Sequence, residues 1–168
     1  MHKKSIELLN KAVADELSAI HQYMYFHFHC DDQGFDLLAN LFRKTAITEM
    51  AHIERLAERI LFLKGDVKMH PAHPVKQIKT VKEMLELARQ MEEESAKDCN
   101  KWANECAASA DSVSRQLFES LVGDEESHYD QFDKEIDNIA QFGSNYLALQ
   151  SIERSKTLGA KPSANKGE

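Results

Sequence analysis

Residues 48–53 read Thr-Glu-Met-Ala-His-Ile, and this stretch places Glu49 and His52 three residues apart within a helical pattern. Apolar residues recur around it at steps of three and four, as at Leu56 and Ile60. Such steps predict an amphipathic helix whose apolar stripe faces a core. Because Glu49 and His52 interrupt that stripe, the sequence predicts a carboxylate and an imidazole on the core-facing side of the helix.

The same arrangement occurs a second time in the chain. The segment Glu125-Glu126-Ser127-His128 again sets a glutamate and a histidine three residues apart on a helical pattern. Two further glutamates, Glu16 and Glu92, lie on the apolar stripes of two other helical patterns, and each precedes its Glu-x-x-His motif by 33 residues. The chain is therefore interpreted as two helical hairpins that each supply a Glu and a Glu-x-x-His motif at the same level.

Four long helical patterns predict an all-α fold. They cover residues 5–31, 36–63, 81–107 and 112–141, and a shorter pattern covers residues 145–152. Short polar breaks separate the members of each hairpin, whereas residues 66–79 form one long connection without a clear period. This order predicts a four-helix bundle with one long crossover and a short fifth C-terminal helix. We expect a single domain over residues 1–153 and a flexible C-terminal tail over residues 154–168.

Two local signals mark helix ends beside the long connection. Gly65 follows the second helical pattern and suits the left-handed conformation that often terminates a helix. The segment Thr80-Val81-Lys82-Glu83 has the form of a capping box, which predicts the start of the third helix.

The composition excludes several classes of protein. The 168 residues are 42% hydrophobic, which is enough to build a core. No apolar run approaches the roughly 18 residues of a membrane span. The net charge of −7 argues against nucleic acid as a partner. The three cysteines form no CxxC pair, and the N-terminus has no secretory pattern, so we expect reduced thiols in a cytoplasmic protein.

Four carboxylates facing one bundle core would repel one another unless their charge were neutralised. Protons could neutralise some of them, whereas two divalent cations would match the charge of all four. Carboxylate oxygen combined with imidazole nitrogen suits iron, manganese or zinc better than calcium or magnesium. The predicted catalytic and metal-binding residues are Glu16, Glu49, His52, Glu92, Glu125 and His128. The alternatives are exposed charges on helices whose phase differs by a residue or two and, for the whole chain, a metal-free helical interaction protein.

At these residues the sequence resembles the bacterioferritin family of the ferritin-like superfamily. The resemblance is carried by the segments Glu16–Tyr23, Glu49–His52, Glu58–Gly65 and Asp124–His128, and residues 145–147 resemble the start of that family's short fifth helix. It implies a ferritin-like bundle with a di-iron ferroxidase centre. Fe(II) would be oxidised by O2 or H2O2 and stored as a ferric mineral inside a hollow homo-oligomeric shell.

The resemblance also implies a role for each of the six residues. Glu49 and Glu125 would bridge the two irons. Glu16 and His52 would complete the ligands of one iron, and Glu92 and His128 those of the other. Tyr23 matches a family tyrosine near the iron centre, which is either a radical donor or a hydrogen-bonded core residue, and we expect it to contact the ligands.

Met50 matches the methionine that binds haem b between neighbouring subunits of the family. It follows Glu49 directly and so points about 100° away from the core-facing direction, as an interface residue should. The alternative is a methionine that packs at a dimer contact without haem.

Two other members of the superfamily are alternatives to an iron-storage shell. One is a dodecameric shell of the Dps-like or thioferritin type that mainly protects against peroxide, with about 12 subunits rather than about 24. The other is a rubrerythrin-like peroxidase, which the absence of CxxC pairs disfavours. Cys99 and Cys106 lie about 10 Å apart along one predicted helix, so we expect no disulfide within the subunit.

Overall fold

The computed structural model describes residues 2–159 and consists of five helices. They are α1 (Lys3–Asp32), α2 (Asp36–Phe62), α3 (Val81–Ala108), α4 (Ser112–Phe142) and α5 (Ser144–Gly159). No strand occurs within residues 2–159. The helices α1 and α2 form one antiparallel hairpin, α3 and α4 form the other, and the two hairpins pack into a bundle. The predicted all-α four-helix bundle with one long crossover is confirmed.

The crossover between α2 and α3 runs along α1 and is held by polar side chains on one face of that helix. Asn10 donates to one backbone carbonyl of the crossover at 3.0 Å and accepts from a backbone N–H at 2.8 Å. Ser18 Oγ accepts from His73 N at 3.0 Å, and Gln22 makes two bonds to the backbone of Lys76. These bonds explain why three polar residues of α1 can be buried, because each has a hydrogen-bond partner in the crossover. They also hold the crossover in the extended path that leads to the far end of the bundle.

The prediction for the conformation of Gly65 is wrong. Lys64, not Gly65, takes the positive φ of 64° after α2. Gly65 is needed for a different reason, because a Cβ atom there would lie 2.7 Å from Ile6 Cγ2 and 3.0 Å from Ile60 Cγ2. The close approach of the α2 terminus to α1 therefore requires a residue without a side chain.

The N-terminal caps of α3 and α4 differ. The third helix begins after Thr80 as predicted, but the Thr80 side chain makes no cap hydrogen bond. At α4 the cap is complete, since Asp111 Oδ1 accepts from Ser114 N at 3.1 Å. Arg59 of α2 donates to the same oxygen at 2.6 Å and to Ser114 Oγ at 2.9 Å, so this cap also ties the two hairpins together.

The core consists of two hydrophobic clusters with a polar layer between them. One cluster contains Leu56, Trp102 and Phe118, and the other contains the packed aromatic rings of Phe42 and Phe132, whose centroids lie 5.5 Å apart. The polar layer is formed by the buried glutamates and histidines of α1 to α4. Its position near the middle of the helices separates it from both ends of the bundle.

The C-terminal helix is longer than predicted. It spans Ser144–Gly159, so the predicted domain boundary at residue 153 falls inside α5. The end of the predicted flexible tail, residues 160–168, lies outside the described residues. No helix of the described part is long and apolar enough to cross a membrane. Cys30, Cys99 and Cys106 are buried and unbonded to one another, which confirms the prediction that the subunit has no disulfide.

Candidate metal centre

The structure brings all six predicted residues together in the polar layer of the core. Each of the four long helices contributes one glutamate, and α2 and α4 each add the histidine one turn further on. The glutamates are only 0–4% exposed. The cluster is formed by Glu16, Glu49, His52, Glu92, Glu125 and His128.

The six side chains form two overlapping groups that share two carboxylates. One group adds Glu16 and His52 to the shared pair, and the other adds Glu92 and His128. Within each group the ligand atoms lie within 4.8 Å of one another. The shared residues are Glu49 and Glu125. This is the geometry that two neighbouring cations bridged by two carboxylates would require.

The ring nitrogens Nδ1 of both histidines point into the cluster. His52 Nδ1 lies 2.8 Å from Glu49 Oε2 and 3.2 Å from Glu16 Oε1 and from Glu125 Oε1. His128 Nδ1 lies 3.1 Å from the other oxygen of Glu49. The two rings are stacked, with centroids 6.1 Å apart. Each imidazole therefore presents one nitrogen to the shared carboxylates.

Without a cation the histidines carry protons. Burial disfavours the charged form of His52, but the surrounding carboxylates, Glu125 foremost, outweigh it and raise the pKa of His52 well above its usual value. Burial likewise opposes protonation of His128, but contacts with Glu49 and Glu92 raise its pKa to about 10. The surrounding carboxylates thus favour the charged form of both rings, which partly balances the glutamates.

Two of the glutamates also bind protons more tightly than usual. Burial raises the pKa of Glu125 to about 8, and the neighbouring Glu92 adds to the shift. Burial also raises the pKa of Glu16 well above its usual value, and the charge of Glu49 acts in the same direction. Burial and like charge therefore favour proton binding at Glu16 and Glu125, and a bound cation would compete with these protons.

Several atoms of the cluster lie within ion-pair distance of a neighbouring side chain but make no hydrogen bond of acceptable geometry. They are both oxygens of Glu49, Glu92 Oε2, Glu125 Oε1 and His128 Nδ1. Buried polar atoms that make no hydrogen bond are costly, and metal coordination would satisfy all five. Carboxylate oxygen with imidazole nitrogen suits iron, manganese and zinc. The residues present therefore fit a pair of such ions.

Two neighbouring side chains hold the cluster from outside it. Tyr23, predicted to contact the ligands, donates a hydrogen bond from its phenol to Glu92 Oε1. Asp124 Oδ2 lies 3.2 Å from His52 Nε2, the ring nitrogen that points away from the cluster. The sequence pattern assigns Asp124 no role, although its position directly before Glu125 is a signal for one.

A cavity of about 120 Å³ leads to the cluster between α1, α3 and the crossover. Its inner wall includes the carboxylates of Glu16, Glu92 and Glu125. Asp15 and Asp98 lie on the same cavity wall. Burial raises the pKa of Asp15 to about 6, and the charge of Asp98 adds to the shift. The cavity therefore gives a cation a negatively charged approach to the cluster.

Met50 lies on an exposed side of α2, away from the cluster. Its side chain is 52% exposed, and Ile47 is exposed beside it on the same helix. This orientation agrees with a residue available to a second subunit rather than to the core of its own.

Comparison with known proteins gives a consistent result. The family described as a ferritin-like domain matches residues 6–142. The bacterioferritin of Rhodobacter capsulatus is 35% identical over 147 residues, which are 87% of this chain and 91% of that protein. The bacterioferritin of Brucella melitensis is 34% identical over 140 residues, covering 83% and 87% of the two chains. That of Desulfovibrio desulfuricans is 34% identical over 145 residues, covering 86% and 81%. With this similarity and a buried carboxylate–histidine cluster inside a four-helix bundle, the chain belongs to the ferritin-like family, and within it to the bacterioferritin group.

Proposed function

We propose that this chain stores iron and that its buried cluster is a di-iron ferroxidase centre. The observation that carries the proposal is the pair of overlapping four-residue groups that share Glu49 and Glu125. A single buried cation would need only one such group. Two groups that share two carboxylates match two ions held a few ångströms apart by bridging carboxylates.

Each residue has a definite role in this proposal. Glu49 and Glu125 bridge the two positions. Glu16 and His52 complete the first position, and Glu92 and His128 complete the second. A pair of Fe(II) ions held there would supply two electrons, which together with two protons reduce O2 to H2O2 or H2O2 to water.

The protein prepares this reaction by moving protons and excluding water. His52 and His128 each release a proton from Nδ1 when a cation binds, because only the neutral ring can be a ligand. The packed hydrophobic clusters exclude water from the two ends of the cluster, while the cavity between α1, α3 and the crossover leads to its side. The carboxylates remain as fixed negative charges that stabilise the higher charge of oxidised iron.

We further propose that the oxidised iron collects inside a hollow homo-oligomeric shell in the cytoplasm. The similarity to bacterioferritins supports an assembly, and three free buried cysteines fit a reducing compartment. The mass of the intact assembly distinguishes about 24 subunits from about 12. A shell of about 12 subunits that consumes H2O2 much faster than O2 would favour the peroxide-protecting alternative.

Haem b is a second proposed cofactor, with Met50 as its ligand. The exposed thioether and the exposed Ile47 beside it fit a group held between two subunits. The expected result is a Soret absorption band in the purified assembly that Met50→Leu abolishes. An assembly without such a band, even after incubation with haemin, would leave Met50 as a packing residue.

Aerobic titration with Fe(II) tests the ferroxidase proposal. The parent protein should oxidise two Fe(II) per subunit in a fast first phase, followed by slower mineral growth. Glu125→Gln and the double variant Glu49→Ala with His128→Ala should lose the fast phase. The matched control is Glu126→Gln, which removes an exposed carboxylate next to Glu125 and should oxidise iron like the parent. If the double variant oxidised iron as fast as the parent, the di-iron centre would have to be abandoned.

A further inference from the structure

The two halves of the cluster are related by an approximate twofold repeat that extends beyond the six proposed ligands. Glu49 and His52 on α2 correspond to Glu125 and His128 on α4. The residues that precede the two shared glutamates should then correspond as well. They differ, however, since Thr48 precedes Glu49 whereas Asp124 precedes Glu125.

In the half of the cluster formed by Glu16 and His52, the His52 ring connects the shared carboxylate of Glu49 to the carboxylate of Asp124. His52 Nδ1 faces the cluster, and Nε2 lies 3.2 Å from Asp124 Oδ2. Asp124 is itself held by Arg55, whose Nη1 lies 3.6 Å from the same oxygen. Arg55 also donates a hydrogen bond to Ser120 on α4. A carboxylate behind a histidine fixes its ring orientation and makes the opposite nitrogen a better ligand.

In the half formed by Glu92 and His128, no carboxylate of residues 2–159 pairs with His128 Nε2; the ion pairs of His128 with Glu49 and Glu92 are both made by Nδ1. Among the described residues, none forms a hydrogen bond with His128 Nε2. The residue in the corresponding place, Thr48, turns its hydroxyl back and donates to Lys44 O at 3.2 Å. Among the described residues, the polar contacts of His128 are therefore the ion-pair contacts of Nδ1 with Glu49 and Glu92.

A second difference acts in the same direction. Tyr23 donates a hydrogen bond to Glu92 Oε1, which draws negative charge from that carboxylate. Seven residues after Glu92, in the place that corresponds to Tyr23, the chain has Cys99. The Cys99 thiol makes no hydrogen bond to Glu16 among the described contacts. One oxygen of Glu92 therefore already accepts a hydrogen bond from a phenol, whereas no thiol competes with a cation for the Glu16 carboxylate.

From these two differences we infer that the two metal positions are unequal. The position of Glu16 and His52 binds a divalent cation more tightly and is filled first, and Asp124 is its positioning residue. The position of Glu92 and His128 is filled second and releases its ion first. This inference rests on the proposed di-iron centre and adds an order of loading to it.

Titration of the metal-depleted assembly with Co(II) at a fixed neutral pH tests this order without turnover. The d–d absorption bands and the heat of binding should resolve two steps per subunit. Asp124→Asn should lower the Co(II) affinity of the first step about 10- to 100-fold and leave the affinity of the second step unchanged. Thr48→Asp, which supplies the missing carboxylate, should raise the Co(II) affinity of the second step. The affinities of the two steps should then become similar.

The control is Asp130→Asn, which makes the same chemical change at an exposed site on α4, where Asp130 pairs with Lys134. It should leave both steps as in the parent. Far-UV circular dichroism and assembly mass verify that each variant is folded, and Asp124→Glu should restore part of the first step. If Asp124→Asn alone failed to fold, Thr48→Asp would still decide the question, because it acts on the other half.

The outcomes separate this inference from the proposed function. Two equal steps in the parent, or an Asp124→Asn variant that weakens both steps alike, would overturn the inequality and leave the di-iron centre intact. A parent that binds no Co(II), or whose binding survives the double variant Glu49→Ala with His128→Ala, would overturn both.

Discussion

The phenol of Tyr23 donates a hydrogen bond to Glu92 Oε1 in the middle of the bundle, where both side chains are almost completely buried. Burial raises the pKa of Tyr23 well above its usual value, and the charge of Glu92 adds to the shift. The phenol therefore stays protonated and remains a donor at neutral pH. Glu92 Oε2 makes no hydrogen bond. The bond from Tyr23 is therefore the main hydrogen bond that the Glu92 carboxylate accepts in the metal-free chain.

Tyr23→Phe should therefore destabilise the metal-free protein more than the metal-loaded one. Loss of the phenol leaves a second buried carboxylate oxygen unpaired, at a cost of about 1–3 kcal/mol in the free energy of unfolding. A bound cation would satisfy that oxygen and reduce the loss. Urea unfolding with and without Co(II) measures both values. The control is Tyr25→Phe, which alters a half-buried ring that contacts the His29 ring at a tilt of 53°. Equal losses with and without Co(II) would contradict the prediction.

The overall architecture could be predicted from the sequence because it depends on periodicity. The apolar steps set four long helices, and their predicted bounds differ from the observed ones by one or two residues, as with α2, predicted over 36–63 and observed over Asp36–Phe62. The convergence of the six side chains followed from equal spacing in two hairpins, since residues at equal distances from a turn meet at one level.

Contacts between helices could not be predicted in the same way. The requirement for Gly65 comes from its approach to Ile6, which depends on how closely α2 and α1 pack. The contact of Asp124 with His52 depends on how α4 is rotated about its axis relative to α2. The hydrophobic period of the sequence does not determine this rotation accurately enough to predict the contact. The roles of Asn10 and Gln22 could not be predicted from the sequence, because both side chains bond to the crossover backbone, whose path the sequence does not indicate.

Gly65→Ala and Gly123→Ala should have opposite effects on stability. An added Cβ at Gly65 meets Ile6 and Ile60 at 2.7–3.0 Å, so the variant should lose about 1–3 kcal/mol in the free energy of unfolding. Gly123 lies inside α4 with no atom within 4 Å of the added carbon. There, alanine should gain about 0.5–1 kcal/mol from its higher helix propensity. Thermal unfolding of both variants measures the signs, and a Gly65→Ala variant as stable as the parent would contradict the proposed close approach.

Asp111→Asn should destabilise the protein at neutral pH but not in strong acid. Burial opposes the charge of Asp111, but hydrogen bonds from Ser114, Ser5 and Arg59 outweigh it and lower the pKa of the carboxyl to about 2. A carboxyl whose pKa is lower in the folded state than in the unfolded chain stabilises the fold above the unfolded pKa, and this contribution is lost as the pH falls through the folded pKa. The shift corresponds to about 2 kcal/mol. Asparagine retains the cap but not the charge.

The measurement is the difference in the free energy of unfolding between parent and Asp111→Asn at several pH values. It should be constant above about pH 5 and should disappear between about pH 4 and pH 2. Because the difference is taken between two proteins with the same buried cluster, the acid response of that cluster cancels. A difference that did not change with pH would mean that the charge of Asp111 contributes nothing beyond the cap.

The acidic cavity predicts how fast cations reach the cluster. Asp15 and Asp98 line it, with Glu16, Glu92 and Glu125 on its inner wall. A double variant, Asp15→Asn with Asp98→Asn, removes charge from the approach but keeps the shape of the side chains. We expect uptake of Fe(II) or Co(II) to become slower and less sensitive to salt, because electrostatic steering is screened by ions.

The number of ions bound per subunit should stay the same in this double variant, since the six residues of the cluster are unchanged. Stopped-flow absorbance at several salt concentrations measures the rate, and a titration at equilibrium measures the number. Asp137→Asn, a change of the same kind on the exposed surface of α4, is the control and should leave the rate unchanged. Uptake at the parent's rate and with the parent's salt dependence would mean that cations reach the cluster by another path, through the bundle's opposite side along α2 and α4.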